Sequence, residues 1–98
     1  MIRSFTDNGT KDVYDGKDSR QARRTCPQDL WPVARRKLDM LRRAVRRDDL
    51  RFPPGNRLEH LKGDRAGQDS IRINDQYRIC FVWKEEGVEQ VEIVDYHE

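Results

Sequence analysis

Apolar and polar residues alternate along most of the C-terminal third of the chain. Two alternating runs flank a short polar break at residues 74–76, and a third run follows the polar stretch 84–87. A period of two is typical of strands that bury one face, and short polar breaks are typical of the turns between them. The pattern therefore predicts an antiparallel meander within residues 58–98.

The parity of the apolar positions predicts the register of the first hairpin. A two-residue loop would set Arg72 opposite Ile79 and split the apolar face. A three-residue loop over 74–76 sets Arg72 opposite Arg78 and Ile71 opposite Ile79, which keeps each face uniform. Like charges placed opposite each other cost from a few tenths to about 1 kcal/mol. We therefore expect an anion near the two guanidinium groups.

Two anions fit this expectation. Glu92, on the following strand, occupies an even position like both arginines. A bound phosphate is the second possibility, because a planar guanidinium presents paired donors to phosphate oxygens.

The middle of the chain changes to a helical period. Apolar residues recur at intervals of four, three and four residues, which predicts a helix over about 27–47 with one buried stripe, formed by Ala34, Leu38, Leu41 and Val45. Pro32 lacks an N–H, so the helix either starts near Asp29 as its cap or is kinked at the proline. The flanking arginines are either a solvated face or a surface that meets phosphate or a partner.

The N-terminal region gives weaker signals. Residues 2–6 are predicted to add an edge strand through Ile2 and Phe5. Residues 7–24 are polar, with Val13 and Tyr14 as anchors, and are expected to form one weak helical turn or to be mobile. Helices followed by an antiparallel sheet define the α+β class, and 98 residues indicate a single domain over 1–98.

Charge narrows the range of partners. The net charge is +2, but basic residues concentrate between Arg20 and Arg57, which favours nucleic acid or an acidic protein surface as partner. Cys26 and Cys80 are isolated and show no metal-ligand spacing, as in reduced cytoplasmic proteins. No apolar run approaches the length of a membrane span.

The polar positions of the C-terminal third carry residue types suited to RNA cleavage without a metal. Such cleavage needs a base for the 2′-hydroxyl, a cation for the charged intermediate and an acid for the leaving oxygen. Plain alternatives exist: a solvated C-terminal tail, an ordinary surface histidine and a simple turn. The candidate residues are Glu59, His60, Lys62, Arg72, Arg78, Asp95, Tyr96 and His97.

Taken together, these residues resemble the HigB-type toxins of the RelE/ParE superfamily. The resemblance rests on NRLEHLKGDRAGQDSIRINDQYRICFVW and VEIVDYH, with WPVARRKLDML and PPGNRL upstream. It implies a RelE-like α+β fold and a cytoplasmic endoribonuclease that cuts mRNA in the ribosomal A site without metal or cofactor. It further implies a HigA-type helix-turn-helix antitoxin, with operator DNA bound only through the complex of the two proteins.

The resemblance also assigns roles by position. The catalytic residues would be Arg72, Arg78, Asp95, Tyr96 and His97. Lys62 would contact phosphate together with Arg72 and Arg78. Separately from the resemblance, we predict substrate contacts at Arg65, His60, Arg42 and Arg46.

One departure concerns a histidine found in some relatives, whose position is occupied here by Glu59, with His60 beside it. Neighbours on a strand face opposite ways, so His60 is expected to point away from the site unless a β-bulge turns it back. Two other hypotheses remain: an inhibitor of DNA gyrase resembling ParE toxins, and a structural or DNA-binding accessory subunit.

Overall fold

The computed structural model describes residues 1–96, in which helices precede an antiparallel sheet. The helices are α1 (Asn8–Asp15), α2 (Arg20–Thr25) and α3 (Trp31–Arg43), and single 3₁₀ turns occupy Gln28–Leu30, Arg47–Arg51, Pro54–Asn56 and Gly63–Arg65. The strands are β1 (Glu59–His60), β2 (Asp69–Arg72), β3 (Tyr77–Lys84) and β4 (Gly87–Asp95), in spatial order β1-β2-β3-β4. This architecture confirms the predicted α+β class and meander.

The register of the β2–β3 hairpin agrees with the parity argument. Arg72 lies opposite Arg78, and Ile71 lies opposite Ile79. The turn is fixed by Asn74, whose side-chain oxygen accepts hydrogen bonds from the backbone N–H groups of Gln76 and Tyr77 at 2.9 and 2.7 Å. An asparagine that bonds its own following backbone is a common turn former.

β4 contains a bulge that the period of two did not predict. The β3–β4 register shifts by one residue, and Gln90 has a φ of 54°. The extra residue lets Val88 and Val91 both be fully buried although their positions have opposite parity. The predicted N-terminal edge strand is present as two parallel bridges, Ile2 with Val88 and Phe5 with Val91.

Residues 7–24 are not a single weak turn, because they contain α1 and most of α2. Asp7 caps α1 by accepting from the N–H of Thr10 at 2.6 Å, and Ser19 caps α2 by accepting from Ala22 at 3.0 Å. Each cap satisfies an otherwise unpaired N–H group. Short helices with few apolar residues owe their stability to caps and packing, which explains why apolar periodicity missed them.

The crossing of α1 and α2 depends on Gly9. A Cβ at this position would lie 2.0 Å from Thr25 Oγ1 and 2.7 Å from the carbonyl oxygen of Gln21. The two helices therefore approach at backbone distance, and Val13 and Ala22 between them are fully buried.

α3 is shorter than predicted at both ends. Leu30 rather than Asp29 precedes its first residue, and Pro32 lies in the first turn, where no N–H is needed. The helix ends at Arg43, so the assignment of Val45 to the buried stripe was wrong: Val45 is 84% exposed. The remainder of the stripe packs on Ile71, Ile79 and Phe81 of the sheet, through Trp31, Ala34, Leu38 and Leu41. None of the helices within residues 1–96 is long and apolar enough to cross a membrane.

Candidate active site

A cleft of about 470 Å³ opens at the end of the sheet where the β2–β3 turn meets the end of β4. It carries three guanidinium groups, two carboxylates, two amides and one phenol. The lining residues are Arg57, Glu59, Arg72, Asn74, Asp75, Gln76, Arg78 and Tyr96. The cleft exists because the meander brings β1, the hairpin turn and the C-terminal end of β4 to one place.

Arg78 is buried and is held by neutral oxygens. Its Nε donates to Ser70 Oγ at 2.8 Å, and its Nη2 donates to the carbonyl oxygens of Arg57 at 2.6 Å and Ser70 at 3.3 Å. The side chain is 8% exposed. The nearest carboxylate within residues 1–96, Glu59 Oε1, lies 3.9 Å from Nη2. Burying a cation against dipoles alone is costly, and a bound anion would offset that cost.

Arg72 is the second guanidinium of the hairpin pair and is bonded to Asp75 in the adjoining turn. The Asp75 side chain is 96% exposed, so this ion pair is solvated and weak. An incoming phosphate can displace it. Glu92 is not the counter-ion of the two arginines, because it pairs with Arg65 at 3.3 Å. Glu92 is therefore excluded as the shared anion, and the carboxylates beside the pair are Asp75 at Arg72 and the more distant Glu59 at Arg78.

Strand alternation separates Glu59 from His60. Glu59 lines the cleft, whereas His60 is outside the lining set and places Nδ1 2.6 Å from Oδ1 of Asp69. Asp69 is buried, with Arg47 3.9 Å away on its other oxygen. Burial raises the pKa of this carboxyl, and His60 and Arg47 oppose the rise.

The C-terminal residues reach the cleft through the hairpin turn. Gln76 donates to Asp95 Oδ2 at 3.2 Å, and its carbonyl oxygen accepts from the N–H of Tyr96 at 2.6 Å. The Tyr96 ring lies 5.9 Å from the guanidinium carbon of Arg78, in the range of a cation–π contact. Asp95 is next to the cleft rather than in its lining. His97 lies outside the described residues.

The remaining predicted substrate contacts do not line the cleft. Arg65 bonds Gln68 and Glu92, and Lys62 follows β1 as an exposed residue. Arg42 pairs with Asp39 on the surface of α3. Arg46 lines a separate shallow hollow with Trp83 and its neighbours Arg47 and Asp48. The substrate roles of these four residues stay predictions.

Four cleft residues were missing from the sequence-derived site: Arg57, Asn74, Asp75 and Gln76. The polar break that contains Asn74 was recognised only as a turn. Arg57 follows PPGN and adopts a left-handed conformation with a φ of 46°. That conformation turns its carbonyl toward Arg78, and no sequence pattern signals it.

The arrangement of helices against a four-stranded antiparallel meander is the RelE-like toxin fold. Two solved structures of the YoeB–YefM complex from Staphylococcus aureus share it, with TM-scores of 0.55 and 0.58. Each covers 100% of this chain and 99% of the matched chain at 15% identity, a level that shows the fold alone.

Sequence comparison supplies the family. The model of the HigB-like toxins, described as RelE-like toxins of the type II toxin–antitoxin system HigB, matches residues 3–97. Toxin HigB-1 of Vibrio cholerae is 42% identical over 83 residues, which are 85% of this chain and 84% of that protein. An uncharacterized protein of Haemophilus influenzae is 43% identical over 63 residues, 64% of this chain and 60% of its own. The chain belongs to the HigB-like toxin family and is a toxin of a type II toxin–antitoxin system.

Proposed function

We propose that this toxin is an endoribonuclease that acts in the cytoplasm and cleaves mRNA in the ribosomal A site, stopping translation and growth. The observation that carries the proposal is the environment of Arg78. Among the described residues this buried guanidinium donates hydrogen bonds to neutral oxygens alone, with Glu59 and Tyr96 around it, and it is suited to binding a phosphodiester.

Groups of the cleft, together with His97, are suited to each step of the proposed reaction. Arg78 and Arg72 bind the scissile phosphate and stabilise the charge that grows on its oxygens. Glu59 accepts the proton of the ribose 2′-hydroxyl, whose oxygen then attacks phosphorus and displaces the 5′-oxygen. Tyr96, beside Arg78, or His97 protonates that leaving oxygen. The products are a 2′,3′-cyclic phosphate and a 5′-hydroxyl end, so both protons of the reaction are accounted for.

We further propose that the partner is a HigA-type helix-turn-helix antitoxin, and that operator DNA is bound only by the complex of the two. Family membership supports an antitoxin, and the structural relatives named above are themselves toxin–antitoxin complexes. The exposed arginines of α3 provide a basic surface for an acidic segment of such a partner.

Adjacent residues on β1 allow a matched test of the cleavage chemistry. The experiment measures cleavage of mRNA on programmed ribosomes by Glu59→Gln and His60→Gln. We expect Glu59→Gln to slow cleavage by about 100-fold or more, because the proton acceptor is lost. His60→Gln should stay within about threefold of wild type, because His60 faces away from the cleft. A wild-type rate for Glu59→Gln would exclude Glu59 as the base.

The activity itself is tested in cells. Mapping RNA ends after induction should show new 5′-hydroxyl ends in phase with codons. Growth arrest with DNA damage and without such ends would contradict the nuclease and favour a gyrase inhibitor.

A further inference from the structure

Lys37, on α3, is held by a buried scaffold. Its ammonium group donates to Oδ1 of Asn56, a residue with no exposed surface. The amide nitrogen of Asn56 donates in turn to the carbonyl oxygens of Leu50 at 3.1 Å and Phe52 at 3.2 Å. With its nitrogen fixed in this way, Asn56 presents its oxygen in one direction only. The ammonium of Lys37, which is half-buried, is therefore positioned rather than freely rotating.

The charges around Lys37 are positive. Burial lowers its pKa, and the guanidinium groups of Arg36 and Arg72 lower it further. Among the ion pairs formed within residues 1–96, none includes Lys37 or Arg36. Arg42 and Arg43 on the same helix differ, because both bond Asp39 at 2.9 Å.

The position of Lys37 connects α3 with the candidate active site. Asn56, which accepts the hydrogen bond of Lys37, immediately precedes the cleft residue Arg57. Arg72, whose charge contributes to lowering the pKa of Lys37, also lines the cleft. The hydrogen bond to Asn56 thus places Lys37 near the margin of the cleft, where the ion pairs within residues 1–96 give a carboxylate partner to Arg72 but not to Lys37 or Arg36. Such a cluster is suited to a multiply accepting anion.

We propose that Lys37, with Arg36 and Arg72, binds a backbone phosphate of the RNA next to the scissile one, so that the substrate path runs from the cleft onto α3. This inference rests on the proposed nuclease function. It assigns substrate binding on α3 to Arg36 and Lys37, which take part in no ion pair within residues 1–96, rather than to Arg42 and Arg43, which bond Asp39. The phosphate would supply the negative charge that the scaffold lacks.

The test uses a single-stranded 2′-O-methyl RNA, which cannot be cleaved because its 2′-oxygens are blocked. Its affinity for the toxin is measured by fluorescence anisotropy over a series of salt concentrations. Lys37→Met should weaken binding roughly five- to tenfold at low salt and reduce the slope of log K against log salt by about 0.7, the change expected for one lost contact to a single strand. Lys37→Arg should keep the wild-type slope.

Two further variants serve as control and safeguard. Lys84→Met removes the same charge at the far end of β3 and should keep the wild-type slope. Arg36→Met changes an exposed side chain and should lower the slope as Lys37→Met does, which tests the subsite even if Lys37→Met fails to fold. A wild-type slope in a folded Lys37→Met or in Arg36→Met would overturn the subsite. If the unmodified toxin binds this RNA and the variants change the slope as expected, but the toxin does not cleave mRNA on ribosomes, the result counts against the nuclease function and not against the subsite.

Discussion

The two ends of β3 are both rich in arginine, yet they differ in how the charges are compensated. Near the β3–β4 turn, Met1 links the carbonyl oxygen of Arg42 to the N–H of Val88, and the side chains of Arg42 and Arg43 each bond Asp39 at 2.9 Å. At the cleft end, Arg78 bonds a hydroxyl and two carbonyl oxygens, and the nearest carboxylate within residues 1–96 is 3.9 Å away. Basic composition alone therefore does not mark a binding site. In our proposal the binding site is marked instead by a buried guanidinium that, within residues 1–96, has no carboxylate at hydrogen-bond distance.

The largest expected effect follows from changing Arg78. Arg78→Lys keeps the charge but loses the planar fork that bonds Ser70 and the Arg57 carbonyl. Cleavage should fall by about 100- to 1,000-fold, because the donor that stabilises the charged phosphate is displaced. Single-turnover cleavage on ribosomes measures this loss of rate, and thermal unfolding checks that the variant is folded. Arg42→Lys, at the opposite end, should keep the wild-type cleavage rate and unfolding temperature. Equal losses of cleavage in the two variants would show that the two ends do not differ.

A smaller loss is expected at Arg57. Its side chain lines the cleft, and it takes part in none of the ion pairs formed within residues 1–96. Arg57→Met should lower the cleavage rate by roughly tenfold, in line with one exposed contact to phosphate. Arg43→Met is the matched variant, because Arg43 already has Asp39 as partner. Equal cleavage rates for Arg57→Met and Arg43→Met would show that Arg57 does not contact the RNA.

A modest gain is expected when the competitor of Arg72 is removed. Asp75→Asn abolishes the solvated ion pair and leaves Arg72 available to phosphate. The affinity for the 2′-O-methyl RNA should rise by about two- to threefold, consistent with the small free energy of an exposed pair. Asp39→Asn frees two arginines at the other end and should leave the affinity unchanged. A rise of equal size in both variants would show a general charge effect.

The smallest expected effect concerns the pH dependence of stability through Asp69. Its pKa is raised above the ordinary value of 3.8, chiefly by burial, so the folded state binds this proton more tightly than the unfolded state does. The free energy of unfolding of wild type, relative to Asp69→Asn, should therefore increase as the pH falls through the raised pKa. Urea unfolding of both proteins from pH 7 to pH 4 measures it, and the opposite slope would show that His60 and Arg47 outweigh burial.

Much of the sheet follows from the sequence because a period of two leaves little choice. One residue of slip would expose Ile71 and Ile79, so the loop length and the pairing of Arg72 with Arg78 were predictable. The same alternation placed Glu59 in the cleft and turned His60 away. The helices of residues 7–24 were not predicted, because their stability comes from the caps at Asp7 and Ser19 and from the contact at Gly9.

The sequence by itself determined the fold class, the hairpin register and the presence of two facing guanidinium groups, because these depend on local periodicity and hydrophobic burial. Only the tertiary structure decided which arginines remain without a close carboxylate. From the sequence, Glu92 was a candidate partner of Arg72 and Arg78. Its pairing with Arg65 instead depends on how the chain packs across the sheet. The same packing sets Lys37 on Asn56 beside Arg72. Electrostatic compensation depends on distances between residues far apart in the chain, and those distances exist only once the chain is folded.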